Sequence, residues 1–108
     1  MAKENIGEFE EVVLTLVCML REDAYGAAIA DECNRRLRRN ISLSAVHVTL
    51  YRLEDKGLIS SAMSGATHKR GGRRKRVYTI SHAGLAMLKQ MQEVRMDLWR
   101  LIPELKIK

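Results

Sequence analysis

Proline is almost missing from this chain, and Pro103 is its only instance. A ring that interrupts helices is thereby kept out of the first hundred residues. Together with a hydrophobic fraction of 46%, this excludes a disordered chain and favours a globular, mostly helical one. Cysteine is scarce too. Cys18 and Cys33 have no CxxC spacing and no nearby histidine pair, which excludes a zinc site and a disulfide framework. Each falls on an apolar helical stripe, so both are expected as small buried hydrophobes. His47, His68 and His82 are scattered over three elements, whereas metal ligands recur at short spacings; neither metal nor cofactor is expected. No run of about 18 apolar residues exists, so no membrane span is expected. The polar, acidic start MAKENIGEFE is unlike a secretory signal and leads to a cytoplasmic expectation. No Ser-His-Asp or Cys-His set, paired carboxylates or phosphate-cradling loop stands where chemistry would need it, which argues against an enzyme.

Positive charge, by contrast, is plentiful and concentrated. The chain carries 19 Lys and Arg against 13 Asp and Glu, a net charge of +6. Six of the cations, Lys69, Arg70, Arg73, Arg74, Lys75 and Arg76, lie in the stretch HKRGGRRKRVY without one acid. The other 13 balance the 13 acids, so the whole excess sits at one place. Focused charge of this kind suits a phosphate-rich partner. A membrane-surface role would want a basic amphipathic helix instead.

Periodicity supplies the frame. A chain of 108 residues is expected to form one core of modest size. Phe9, Val13, Leu16 and Leu20, flanked by Val12 and Met19, mark one face of a helix over about 7–21. Asp23 offers an N-cap to a second helix with the stripe Ile29, Cys33 and Leu37. Arg35, Arg36, Arg38 and Arg39 crowd its end, where cations complement the dipole and stay solvated. Ser42 caps a third helix, in which Val46, Leu50 and Leu53 form the buried stripe and Gly57 supplies a left-handed stop. Three short helices with short connections describe a helix-turn-helix unit, whose last helix reads DNA.

Beyond Gly57 the period changes to strand-like runs at 58–63 and 75–80, the second rich in Val, Tyr, Thr and Ile. The glycines between them permit a turn, so the basic stretch is predicted to be the tip and return strand of a β-hairpin. A last helix is predicted over 81–102, about 33 Å at about 1.5 Å per residue. Met87, Met91, Val94, Leu98, Leu101 and Leu105 follow a heptad seam, with a second stripe of Leu85, Leu88, Met96, Trp99 and Ile102 beside it. Pro103 should end or kink it. Two apolar stripes are more than one small domain can cover, and the second calls for a partner subunit. The fold class is therefore mainly α with a small β-hairpin: a winged helix-turn-helix domain at 1–80 and a dimerisation helix at 81–108.

In this order the residues resemble the PadR-like transcriptional regulators. The resemblance is carried by EFEEVVLTLV, DAYGAAI, AVHVTLYRLEDKGLIS, GGRRKRVYTIS and SHAGL, and it spans about 7–90. It implies a homodimeric, DNA-binding repressor of the family's short branch, with the last helix dimerising. The family usually has Tyr, typically a DNA-backbone contact, where this chain has His47, and often Pro where Val48 stands.

On the third helix, burial of Val46, Leu50 and Leu53 turns Ser44, His47, Val48 and Tyr51 outward with Arg52 at the flank. An exposed Tyr beside Val and His is not what a merely soluble face would carry. Arg52 and His47 can donate to phosphates or base edges, Ser44 to phosphate, and Val48 can meet a thymine methyl. The six wing cations fit phosphates or the minor groove. Met87, Met91, Val94, Leu98, Trp99 and Leu101 are expected to form the dimer core. Alternatively, the two Trp99 rings would sandwich a small, flat hydrophobic effector, as in some drug-sensing relatives. The expected function is sequence-specific regulation as a repressor on a palindromic operator in double-stranded DNA. The alternative is architectural DNA or RNA binding without sequence reading.

Overall fold

Apolar residues recurring at three and four set the helices, and the computed structural model follows that pattern over the residues it describes, 6–64 and 74–104. Helix α1 spans Glu8–Leu20 and buries Val13, Leu14, Leu16 and Val17. Its start is closed by Glu10, whose carboxylate accepts the Gly7 N–H at 2.8 Å. The same carboxylate meets Lys56 Nζ at 3.1 Å, with both side chains largely covered. Burial raises the Glu10 pKa, but the Gly7 N–H and Lys56 outweigh it, and the group sits below its ordinary value. This pair ties α1 to the far end of the third helix, Leu43–Asp55.

Helix α2 is Gly26–Leu37 and α3 is Leu43–Asp55. Asp23 does not cap α2. It belongs to a 3-10 turn at Arg21–Asp23, and Tyr25 holds the N-cap position. The reason is tertiary: Tyr25 forms a β-bridge with Val77, and Ala24 C=O accepts the Tyr78 N–H at 2.8 Å. The segment before α2 thus serves as a third edge to the hairpin. Ser42 caps α3 as expected, its Oγ accepting the Ala45 N–H at 3.1 Å. Gly57 follows α3 at φ 77, a left-handed conformation that glycine adopts at little cost.

Strands β1 (Ile59–Met63) and β2 (Arg76–Ile80) pair antiparallel, from Ile59 opposite Ile80 to Met63 opposite Arg76. Their inner residues Ile59 and Tyr78 join Leu14, Ile29, Leu50 and Leu53 in one core. Cys33 is in that core, but Cys18 is exposed. Its expected burial fails because the covered face of α1 is centred on Val13 and Val17, and the next residue is rotated about 100° from Val17.

Helix α4 runs from His82 to Arg100, ending two residues earlier than expected, with Ser81 as its cap. Ser81 Oγ accepts the Gly84 N–H at 3.0 Å and donates to Gly57 C=O at 2.8 Å. Met87 and Leu88 lean on the core, and Arg95 donates twice to Glu11, at 2.7 and 2.8 Å. Beyond Met91 the apolar face is bare: Leu98 is 61% exposed and Trp99 70%. Leu105 lies outside the described residues. Among the described residues no helix is long and apolar enough to cross a membrane.

Candidate nucleic-acid interface

The same core that buries one face of α3 fixes what the other face shows. Val46, Leu50 and Leu53 are wholly buried and Thr49 nearly so. Thr49 returns its hydroxyl to Ala45 C=O at 2.9 Å, which removes its polar atom from the interior. At 3.6 residues per turn the opposite face must hold Ser44, His47, Val48, Tyr51 and Arg52, and all five are exposed. Val48 is half exposed and Tyr51 75%. Large apolar area held in water beside polar tips makes this face a candidate contact surface.

The hairpin brings its cations to the edge of that face. Lys69, Arg70 and Arg73 lie outside the described residues; Arg74, Lys75 and Arg76 are described and exposed. Lys75 stands over the Tyr25 ring, 3.9 Å from its centroid, a cation–π contact that limits where the ammonium can go. Lys75 N–H donates to Ser64 Oγ at 3.1 Å, and Ser64 N–H donates to Lys75 C=O at 2.7 Å. Arg74 Nε donates to Ser64 C=O at 3.1 Å. Arg76 donates to Ser61 Oγ at 3.0 Å, and that hydroxyl donates to Glu54 on α3 at 2.8 Å. Polar links therefore tie the hairpin to the third helix, and its described cations are held in place.

His47 is the residue where helix and hairpin meet. Its imidazole packs over Gly26, so closely that a Cβ at 26 would lie 2.8 Å from Cε1. A notch of about 400 Å³ opens there, lined by His47, Tyr25, Gly26, Lys75, Arg76 and Tyr78 among others. Burial pushes the Tyr78 phenol above its ordinary pKa, so Tyr78 stays neutral in this cationic setting. His47 thus leans towards α2 and the hairpin. Tyr25 and Gly26 were not singled out as site residues from sequence, although the YG pair carried part of the resemblance. The four arginines at the end of α2 are exposed, and Arg36 pairs with Glu32 at 2.8 Å. Among the described residues no three His, Cys, Asp or Glu side chains gather as metal ligands would.

A helix-turn-helix unit followed by a cationic hairpin packed on the same core defines a winged-helix protein. The sequence model of the Transcriptional regulator PadR-like family matches residues 13–90. The chain belongs to that family, whose members are transcriptional regulators and not enzymes, and it is accordingly a DNA-binding transcriptional regulator. Solved structures agree on the fold. A PadR family regulator from Clostridium difficile is 22% identical with a TM-score of 0.66, covering 83% of this chain and 92% of that one. A PadR-like regulator from Bacillus cereus is 19% identical with a TM-score of 0.69, covering 90% and 93%. A PadR-like transcription factor from Bacteroides fragilis is 20% identical with a TM-score of 0.68, covering 85% and 84%. The curated proteins contain no significant match.

Proposed function

We propose that the protein is a homodimeric repressor that reads a palindromic operator, with residues 1–80 binding DNA and 81–108 joining the protomers. The observation that carries this reading is the face of α3, where Val48 and Tyr51 stand exposed beside the hairpin's cations. Charge alone would bind any polyanion; apolar and aromatic groups among donors suit base edges. In this reading Val48, Tyr51 and Arg52 enter the major groove and Ser44 and His47 face phosphate. Lys69, Arg70, Arg73, Arg74, Lys75 and Arg76 follow the backbone from the wing.

The bare face of α4 supports the dimer. Met87 and Met91 are half-buried, whereas Val94, Leu98, Trp99 and Leu101 are exposed. A second copy placed across a two-fold axis covers this surface with its own equivalent. Buried aromatics dominate such contacts, and Trp99 takes that role. In the alternative reading of Trp99, a flat apolar effector enters between the two rings, where indole fluorescence reports it. The protein acts in the cytoplasm, and repression follows from occupying the operator.

Wing and helix should fail differently. Replacing Arg73 and Arg74 by Gln should weaken binding to every duplex and flatten the dependence of log K on log salt by about 0.9 per lost phosphate contact. Tyr51→Ala should weaken the preferred sequence selectively. A wing variant that lost only the preferred sequence would overturn this division. Equal loss on all duplexes from Tyr51→Ala would favour binding without sequence reading.

A further inference from the structure

Asn34 performs a task that neither charge nor periodicity reveals. It lies in the last turn of α2, partly buried, and its carboxamide reaches across the turn to a single residue. Asn34 Nδ2 donates to Ile41 C=O at 3.0 Å, and Oδ1 accepts the Ile41 N–H at 2.5 Å. The pairing fixes the orientation of the amide, because the reversed side chain would set donor against donor. The chain between these residues needs such a restraint. Helix α2 ends at Leu37, and Arg38 turns into the left-handed region at φ 54, ψ 45, which costs a non-glycine residue free energy. Ile41 leans on the core, and the next residue, Ser42, caps α3. The two bonds to Asn34 therefore set where, relative to α2, the third helix begins.

We propose that Asn34 is a positioning residue for sequence reading: its two-bond clamp on Ile41 holds the angle at which the exposed face of α3 meets DNA. The proposal rests on the DNA-reading role of α3 argued above. A carboxamide is required because the site needs one donor and one acceptor together. Asp keeps the acceptor and sets a carboxylate against a carbonyl, Leu supplies neither group, and Gln carries the amide one carbon too far. The consequence falls on specificity more than on attraction. Phosphate contacts tolerate a small tilt of the helix, while bidentate contacts to base edges do not.

The test compares Asn34→Asp and Asn34→Leu with the wild type on two duplexes at one salt concentration: the sequence the wild type selects and a mixed-sequence control. Both variants should lose about tenfold or more on the selected sequence, the scale of one lost base contact, and about twofold or less on the control. Equal losses on the two duplexes, or none on either, overturn the proposal. Amide exchange in the wild-type protein reads the clamp without DNA and without relying on a variant's fold. The Ile41 N–H should be protected although it lies outside any helix or strand, and free exchange there also overturns the proposal. If the wild type prefers no sequence, the functional reading and this role fail together, even with Ile41 protected. If it has a preference that the variants retain undiminished, the role of Asn34 fails alone.

Discussion

Gly84→Ala should destabilise this protein, although the same change in an exposed helix would stabilise it. Gly84 is the third residue of α4 and the one residue of that helix buried outright among those described. A Cβ there would lie 2.2 Å from the Leu58 carbonyl oxygen and 2.9 Å from Ile80 Cγ1. The Ile80 side chain can turn aside; the Leu58 peptide cannot. Its C=O accepts the Ser81 N–H at 3.0 Å, and its N–H donates to Leu53 C=O at 3.0 Å. Helix propensity favours alanine by about 0.8–1.0 kcal/mol. Overpacking against a fixed group costs about 1–3 kcal/mol, and an approach this close belongs at the upper end. A net loss of about 2 kcal/mol remains, which for a domain of this size lowers the melting midpoint by roughly 10 °C. Thermal and urea unfolding of both proteins at equal concentration measures it, since dimer formation makes the midpoint concentration-dependent. An unchanged or raised midpoint would refute the close seating of α4 on the chain that enters β1.

Two further perturbations probe the helix ends. Leu98→Glu places a charge in the proposed dimer face on both protomers at once, so sedimentation should show monomers, with several kcal/mol lost from association. A tight dimer in this variant would move the interface elsewhere. The hydrogen bonds from Arg95 hold the Glu11 carboxyl below its ordinary value of 4.5, with burial opposing and the Arg95 charge assisting. A depressed folded-state pKa contributes stability above the unfolded value that is lost as pH falls through the folded one. Wild type should therefore lose stability below pH 4.5 more steeply than Glu11→Gln; parallel acid profiles would show that the Glu11–Arg95 pair does not hold α4 in solution.

Features that a residue makes with its own neighbours were the legible ones. Ser42 and Ser81 cap the next turn with their own hydroxyls, Gly57 takes a conformation few other residues accept, and the α3 stripe follows from its period. Asp23 has the right chemistry for a cap, yet Tyr25 starts α2, because a strand fifty residues later claims its backbone. Cys18 was placed on the correct helix and the wrong side of it, since its stripe has a width that spacing alone does not define. Within the site, the outward set on α3 was readable once its inward set was known. The seating of His47 on Gly26 and the Lys75–Tyr25 contact were not, because each joins elements that only the tertiary fold brings together. Asn34 was hidden for a related reason: its partner is a backbone, and a backbone leaves no mark in a sequence.

Selection of bound duplexes from a random pool tests the central claim most directly. A dimer presenting two copies of the α3 face should enrich one inverted repeat, with half-sites spaced by about one helical turn, 10–10.5 base pairs, or a multiple of it. The enriched duplex should bind two chains, and scrambling one half-site should weaken it strongly at constant salt. A pool that gains no sequence after repeated rounds, while every duplex binds with the same salt dependence, would contradict the account and leave a protein that holds nucleic acid by charge alone.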